Sequence, residues 1–425
     1  MTAAVEAPPR PRSVAVIGAG AIGLSCALYL QRDGHQVTLI DPRPPGTATS
    51  FGNAGGVVTN GCVPTAMPGI LSKVPGMLMD PLGPFTIRWR YLPRLAPWLL
   101  RFVAASRPSQ VERISIALAD LTSRVTEPWR DLAAQAGVAE RLRPVGWLRV
   151  YDSDAGFAAT APGRALMDRR GLPYEVLNQD ELRQLEPALA PIFRHAWFQS
   201  DCSYVTNPGR VLEAFAATFA ARGGRILQAR VTGFENGPSA GQDGLHRVLT
   251  DQAAEPAEAV VLAAGAWSKA LARQLGATVS LDSERGYHIM LPTPERNLRR
   301  PVLWGEKAFV LGPMEEGVRL NSQVELAGLD APPDYRRIRS LLPLAKRMLP
   351  GLELEERSIW LGFRPSTPDS KPVIGPVPGR PGAFLAFGHG HLGLTMGPLT
   401  GRLIADLLAG RDPGFDLSPC RADRW

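Results

Sequence analysis

Residues 13–41 read SVAVIGAGAIGLSCALYLQRDGHQVTLID and decide the fold. The apolar run at 13–17 predicts a parallel strand that is buried on both faces. A turn with three glycines follows at 18–23, and it leads into a helical stretch that stops at Gly34 and a second strand at 37–40. This is the order found in dinucleotide-binding βαβ units: a strand, a glycine turn, a helix, a second strand and an acidic residue, here Asp41, at its end.

The three glycines of the turn have separate tasks in such a unit. Gly18 permits the tight turn, Gly20 lets the backbone approach a pyrophosphate, and Gly23 lets the helix pack closely on the strands. The N-terminus of the helix offers free N–H groups and a partial positive charge to the phosphates. Asp41 is placed to accept hydrogen bonds from a ribose diol, and its charge disfavours the 2′-phosphate of NADP.

Length and composition limit the class of protein. A chain of 425 residues is too long for one ordinary core and predicts two domains. With 45% hydrophobic and 20% charged residues, wholesale disorder is excluded. The net charge of +7 comes from basic residues that never form a run, so we expect no nucleic-acid partner. Four scattered cysteines without a CxxC pair argue against disulfides and zinc, and we predict no metal site.

The sequence also limits where the protein works. The first twelve residues lack the apolar core of a signal peptide, and prolines and glycines interrupt 44–72, so no spanning helix fits there. We therefore expect a cytoplasmic protein. Segment 81–108 alternates arginine with tryptophan and tyrosine, which is typical of elements that sit at lipid headgroups. This segment allows peripheral binding on the inner face of the membrane, although an ordinary surface hairpin or subunit contact is the favoured interpretation.

The nucleotide-binding pattern breaks off after the first unit and returns twice. A strand at 259–264 precedes Gly265, and a strand at 383–387 precedes GHGHLG at 388–393 and a C-terminal helix. Three separated segments that wrap one long cofactor favour FAD over NAD. The second helix N-terminus could also stabilise the negative charge of a reduced flavin. A NAD-dependent dehydrogenase and a non-catalytic FAD-binding subunit of a larger complex are the alternatives.

These segments predict an α/β fold with two domains. A Rossmann-like FAD-binding domain is assembled from the discontinuous segments 10–65, 203–280 and 360–425. A mixed antiparallel-sheet α+β substrate domain is formed by 66–202 and 281–359, where short strand-like runs follow one another without regular helices between them.

Several motifs carry a resemblance to a known family. They are residues 14–41, TSFGNAGG at 49–56, LEP at 185–187, VVLAAGAW at 260–267, GFRPSTPD at 362–369, and GHGHLG at 388–393. In this order they resemble the D-amino-acid oxidase-like (DAO) FAD proteins, and within that family most of all the bacterial D-amino-acid dehydrogenases. The resemblance spans nearly the whole chain. Sarcosine, glycine, proline and hydroxyproline oxidoreductases share these motifs.

The resemblance implies a set of cofactor-binding positions. No cysteine stands at a flavin-linking position, so we expect noncovalent FAD. The positions assigned to FAD are Gly18, Gly20, Ala21, Ile22, Gly23, Asp41, Pro42, Ser50, Asn53, Ala54, Gly55, Val231, Ala264, Gly265, Trp267, Gly388, His389, Gly390, His391, Leu392, Gly393, Leu394 and Thr395.

The reaction that the resemblance implies is oxidation of the Cα–N bond of a small amino-acid substrate. The expected form is oxidative deamination of a D-amino acid to a 2-oxo acid and ammonia, with hydride transfer to flavin N5. The electrons would pass to a quinone or another acceptor, with oxygen as a competitor. A secondary amino acid of the hydroxyproline, proline or sarcosine type is the alternative substrate.

Two residues are predicted to act on the substrate. The planar fork of arginine suits a carboxylate, and Arg364 matches the family's carboxylate-binding arginine. A loop-pinning salt bridge is its alternative role. Tyr287 and His288 are neighbours on a predicted strand, so at most one of them faces the ligand, and we assign Tyr287 to the site, with simple packing as its alternative role. Family members often carry tyrosine where Phe309 stands, and Phe309 is expected to leave room for an apolar substrate side chain.

Overall fold

The computed structural model describes residues 12–70, 85–236, 246–322 and 324–425. Its first layer is a six-stranded sheet. The strands of this sheet are β1 (Ser13–Ile17), β2 (Gln36–Ile40), β10 (Arg225–Leu227), β14 (Ala259–Leu262), β21 (Val373–Pro376) and β22 (Ala383–Phe387). Their order is β10-β2-β1-β14-β22-β21, and all pairs are parallel except β21 with β22. Strands from the start, middle and end of the chain therefore meet in one sheet.

The second layer is a large mixed sheet of ten strands. These strands are β4 (Phe85–Ile87), β6 (Trp147–Tyr151), β7 (Glu175–Leu177), β8 (His195–Gln199), β15 (Asp282–Leu291), β16 (Val302–Trp304), β17 (Phe309–Met314), β18 (Gly317–Asn321), β19 (Val324–Leu326) and β20 (Ser358–Ser366). Their order is β4-β19-β15-β18-β17-β16-β6-β8-β7, and β20 pairs along the length of β15.

Two three-stranded sheets complete the strand inventory of the described residues. One contains β3 (Gly56–Val57), β5 (Leu142–Arg143) and β9 (Ser203–Val205), and the other β11 (Val231–Asn236), β12 (His246–Thr250) and β13 (Ala254–Ala257). The strands of the six-stranded sheet come from the three ranges predicted for the FAD-binding domain. Strand β20 crosses the predicted boundary at 360, and the domain limits themselves remain a prediction.

The helices cover the faces of these sheets. They are α1 (Ala21–Arg32), α2 (Leu92–Ala105), α3 (Pro108–Thr122), α4 (Thr126–Gln135), α5 (Asp154–Ala158), α6 (Ala161–Arg169), α7 (Gln179–Leu185), α8 (Pro208–Ala221), α9 (Ser268–Gln274), α10 (Arg336–Arg339), α11 (Leu342–Met348) and α12 (Gly393–Ala409). Across the described ranges, none of the helices has both the length and the apolarity needed to cross a membrane.

Helices α1 and α12 pack backbone against backbone. At Gly401 of α12, a Cβ atom would lie 2.5 Å from the carbonyl carbon of Ser25 in α1. At Gly397, one turn earlier, a Cβ would lie 3.3 Å from the carbonyl oxygen of Ala21. Because neither backbone can yield as a flexible side chain would, glycine at 401 sets the closeness of the two helices.

The substitution Gly401→Ala is expected to lower the free energy of unfolding by about 1–3 kcal/mol, because the added methyl group forces α12 away from α1. Urea denaturation would measure the loss. The matched control is Gly351→Ala, where the added Cβ meets only the side chain of Pro294, at 3.6 Å. Equal stability of the two variants would contradict this account of the helix pair.

Candidate active site

One cavity of about 1310 Å³ is lined by residues of the six-stranded and the ten-stranded sheets. Most of the residues predicted for the site contribute to its wall. The predicted residues found there are Gly18, Gly20, Ala21, Ile22, Asp41, Pro42, Ser50, Asn53, Ala54, Val231, Ala264, Gly265, Trp267, Tyr287, Arg364, His389, Gly390, His391, Leu392, Gly393, Leu394 and Thr395. Of the predicted set, Gly23, Gly55 and Gly388 lie behind the wall.

The glycine turn closes one end of the cavity. Gly18 has a φ of +104°, which favours glycine, and a Cβ there would overlap the backbone of Ala263. A Cβ at Gly23 would overlap the carbonyl oxygen of Gly18, so this glycine lets α1 approach the strand. The Asp41 carboxylate accepts a hydrogen bond from the N–H of Ala19 at 2.8 Å, and it thereby holds the turn against the end of β2.

The loop at 49–56 runs along the cavity beneath the large sheet. The guanidinium of Arg319 donates to the carbonyl oxygens of Phe51 at 3.0 Å and Asn53 at 2.8 Å. The amide of Asn321 donates to the Gly52 oxygen at 3.0 Å. Burial lowers the pKa of Arg319 to about 10, so it stays charged at neutral pH. Two buried polar side chains of β18 therefore fix the backbone of this loop.

The N-terminus of α12 closes the other side. The first turn of α12 has no side-chain cap, and the residues that lead into it line the cavity. The Thr395 hydroxyl donates to the Gly56 oxygen at 3.0 Å and accepts from the N–H of Val58 at 3.3 Å, which ties α12 to the 49–56 loop. His389 and Thr400 share a buried hydrogen bond of 2.9 Å.

These features fit FAD. In helix α1 the first N–H, of Ala21, donates to the Ser50 hydroxyl at 3.1 Å, and Gly20 itself provides no side-chain cap, so this helix end and Ser50 together face the place of a pyrophosphate. The uncapped α12 offers a second positive helix end along the same cavity. Asp41 lies at the cavity wall beside the turn, as a ribose-binding acid must. Of the described cysteines, none contributes to the cavity wall.

Arg364 and Glu284 place opposite charges on the cavity wall. They are direct cross-strand partners on β20 and β15. The guanidinium of Arg364 lies over Gly286, where any Cβ would overlap it, and it donates to the Ser322 oxygen at 3.3 Å. Glu284 shares a 2.8 Å hydrogen bond with His391. Burial raises the pKa of Glu284, but the His391 hydrogen bond and the nearby positive charges outweigh it and hold the pKa below its usual value.

Tyr287 and Phe309 do not present their rings to Arg364. The Tyr287 hydroxyl donates to Glu325 at 2.6 Å, and the ring packs in the core behind the sheet with Ile289 and Leu320. Side chains alternate along a strand, so the residue after Gly286 points to the opposite face from Arg364.

The expectation for Phe309 is wrong for the same reason. This ring is fully buried against Trp304 in that core, and its neighbours Ala308 and Val310 line the cavity instead. Phe309 therefore does not shape the space for a substrate side chain.

Sequence reasoning missed several cavity residues. Glu284 and Arg149 are the most consequential, and Arg43, whose guanidinium lies 5.4 Å from the Trp267 ring centroid, also lines the wall. A signal was present, because charged residues interrupt the strand-like runs DSERGYHIML and WLRVY. A charge on a strand that must be buried is costly and points to a function.

Comparisons with known proteins agree with this geometry. The model of the FAD dependent oxidoreductase family (DAO) matches residues 13–407. The chain is 37% identical to a D-amino-acid oxidase of Bradyrhizobium diazoefficiens, over 98% of this chain and 100% of that protein. It is 31% identical to a D-amino acid dehydrogenase of Rhizobium johnstonii, over 97% of this chain and 99% of that protein.

Solved structures share the fold. Glycine oxidase from Geobacillus kaustophilus superposes with a TM-score of 0.75 at 23% identity, over 98% of this chain and 99% of that one. L-proline dehydrogenase from P. horikoshii gives a TM-score of 0.72 at 18% identity, over 98% of each chain.

Two buried histidines at the site make stability depend on pH. Burial lowers the pKa of both His288 and His389 to about 3. The unfolded chain, with histidine pKa near 6.5, therefore binds more protons below pH 6.5 than the folded protein does. Each histidine should then cost about 1.4 kcal/mol of stability for every pH unit below 6.5. Because His288 only stacks on Trp360 at 5.0 Å and contacts Gly52, its replacement is the simpler test.

The variant His288→Asn should reduce the slope of stability against pH between pH 6.5 and 5 by up to about 1.4 kcal/mol per pH unit, which urea denaturation at a series of pH values would measure. The slope that remains comes from other buried histidines, because burial also lowers the pKa of His35 and His246. Its absolute stability falls as well, because the stacking contact is lost, but only the slope reports the titration. If stability depended on pH as steeply in this variant as in the unchanged protein, the lowered pKa of His288 would be contradicted.

Proposed function

The chain belongs to the FAD dependent oxidoreductase family, and from this premise we propose that it oxidises the Cα–N bond of D-amino acids to give 2-oxo acids and ammonia. Membership confirms the predicted fold class, the predicted cofactor FAD and the predicted enzyme class. The resemblance stated from the motifs is confirmed too, since curated relatives over nearly the full length are a D-amino-acid oxidase and D-amino acid dehydrogenases.

One observation carries the proposal: Arg364 and Glu284 face one cavity as direct cross-strand partners. A free amino acid is a zwitterion with a carboxylate and an ammonium on the same carbon. Arg364 suits the carboxylate, because its planar fork donates two parallel hydrogen bonds. Glu284 suits the ammonium as a buried acceptor that stays ionised. In the alternative role for Arg364, a structural salt bridge, Glu284 would be the partner, and the variant Arg364→Met below distinguishes the two roles.

The chemistry needs little from the protein beyond orientation and one proton transfer. FAD, when bound, supplies the acceptor for the hydride that leaves Cα. Arg364 and Glu284 fix both ends of the amino acid and so orient Cα. The ammonium must lose a proton before Cα can be oxidised, and the Glu284 carboxylate, which stays ionised, can relay this proton to the hydrogen-bonded His391. His391, hydrogen-bonded to Glu284 and with 48% of its side chain exposed, can pass the proton to solvent.

We also propose that FAD is held without a covalent bond and that electrons leave to a membrane quinone. The buried positions of the four cysteines, away from the cavity, support the first point. Support for the second comes from the predicted segment 81–108, of which 81–84 lie outside the described residues. Trp89 and Leu100 are 67% and 73% exposed, and Arg90, Arg94 and Arg101 are exposed beside them.

The variant Arg364→Met should keep its flavin but lose about 10- to 100-fold in kcat/KM for D-amino acids, because two charge-assisted hydrogen bonds are removed. Anaerobic mixing with D- and L-amino acids and with proline, hydroxyproline and sarcosine, followed as bleaching of the flavin absorbance, measures the substrate class. Arg357→Met is the matched control, an exposed arginine at the start of the same strand.

Bleaching by the secondary amines alone would replace the proposed substrate class. Unchanged kinetics in Arg364→Met would remove this arginine from substrate binding. Glu284→Gln adds a second check: with no carboxylate to take the ammonium proton, kcat should rise with pH up to higher values than in the unchanged enzyme.

Purified protein should float with vesicles that contain anionic phospholipid, and the double variant Trp89→Ala, Leu100→Ala should float less, because both apolar side chains would insert at the headgroups. Ile116→Ala is the control, since Ile116 is 43% exposed on α3. Equal flotation of all three proteins, or of none, would exclude this surface as a membrane contact.

A further inference from the structure

Arg149 is a further arginine of the cavity wall, and among the described residues no carboxylate pairs with it. Arg149 lies at the centre of β6, and its side chain faces the cavity together with those of Trp147 and Tyr151. Its Nε is buried and has no hydrogen-bond acceptor in the described part of the chain. The contact seen for its guanidinium is the face of Trp197, with Cζ 4.8 Å from the ring centroid.

Other buried arginines of this molecule are compensated. Arg300 pairs with Glu186 at 3.1 Å. Arg285 has no hydrogen-bond partner for its guanidinium among the described residues, but its charge is offset by Glu325 at 3.4 Å. Arg319 donates to backbone oxygens of the 49–56 loop. A guanidinium remains charged in a protein, and burying it without an anion is strongly unfavourable. Arg149 is therefore placed to receive its anion from a ligand.

The strand register relates Arg149 to the amino-acid-binding pair. Arg149 is aligned with Leu303 on β16, Leu303 with Val310 on β17, and Val310 with Asn321 on β18. Three strand spacings of about 4.8 Å separate the Cα atoms of Arg149 and Asn321 by about 14 Å. Arg364 donates to the oxygen of Ser322, the residue after Asn321. All these residues line the cavity, with the Arg364 guanidinium over Gly286 of β15 at one end of this row of strands and Arg149 on β6 at the other.

The surroundings of Arg149 add a second donor. Trp197 donates its indole N–H to the Tyr151 oxygen at 2.9 Å. The Tyr151 hydroxyl is an acceptor in this bond, so its own hydrogen is available for a ligand in the cavity. Trp197 also holds the guanidinium plane by stacking. A charged donor and a neutral donor thus converge, which is the chemistry that binds a carboxylate.

We propose that Arg149, with Tyr151, binds a second carboxylate of the substrate, and that the preferred substrates are D-amino acids with an acidic side chain. Arg364 and Glu284 would bind the amino-acid end, and Arg149 the side-chain carboxylate, across the wall of Leu303 and Val310. The inference rests on the proposed function, which makes the substrate a D-amino acid. It replaces the expectation, drawn from Phe309, that the side chain of the substrate is apolar.

The test compares D-glutamate with D-glutamine, which differ in charge and hardly in shape. The unchanged enzyme should prefer D-glutamate in kcat/KM, and Arg149→Met should reduce the ratio of the two values by about 10- to 100-fold, as expected for charge-assisted hydrogen bonds. Arg149→Lys should recover part of the ratio. Arg143→Met, an exposed arginine on β5, is the matched control and should leave the ratio unchanged.

A binding measurement keeps the inference separate from turnover. By calorimetry with the purified holoprotein, glutarate should bind at least 10-fold more tightly than butyrate, and Arg149→Met should abolish this difference. If no D-amino acid bleaches the flavin, the proposed function is wrong and calorimetry alone decides on Arg149. Suppose that D-amino acids bleach the flavin, but Arg149→Met changes neither the kcat/KM ratio of D-glutamate to D-glutamine nor the affinity ratio of glutarate to butyrate. The inference is then wrong and the proposed function stands. Loss of flavin from Arg149→Met would assign the residue to the cofactor and overturn the inference.

Discussion

The close contact between α1 and α12 is the constraint on which the site depends. Gly401 and Gly397 let the two helices meet at backbone distance, and this contact fixes two helix N-termini along one cavity. A helix end exerts its field only within about a turn, so the positions of the two ends decide where negative charge is stabilised. A hydrogen bond from Thr395 fixes α12 to the 49–56 loop, and hydrogen bonds from Arg319 and Asn321 fix that loop to the large sheet.

The nucleotide half could be predicted from sequence because its determinants are local. Parallel strands buried on both faces read as apolar runs, and the turn at 18–23 carries its glycines at fixed spacing. The positions of β1, β14 and β22 follow from such runs. That these strands lie side by side in one sheet could be predicted only from the family resemblance, because no local pattern indicates that residues 14 and 259 are paired.

The substrate half was less predictable because its chemistry depends on the faces and register of strands. The Phe309 ring lies in the core while the next residue, Val310, lines the cavity, and the Tyr287 ring lies on the opposite face of its strand from Arg364. A one-residue change of register reverses the face of every side chain. The place of Arg364 on the cavity wall could be predicted because its motif is specific. Glu284 and Arg149 were missed because the role proposed for each depends on its cross-strand partner. The partner of Glu284 is Arg364 and that of Arg149 is Leu303, and only the paired sheet reveals them.

The topology of the six-stranded sheet bears on how the protein is made. Strand β1 leaves the ribosome early, yet its partner β14 and the next strand β22 are translated much later, as is helix α12. Contacts between such distant parts of a chain slow folding, and the unpaired side of β1 exposes an apolar edge in the meantime. The nascent chain therefore has to be protected against aggregation until translation has nearly finished, and the flavin cradle is assembled only after that point.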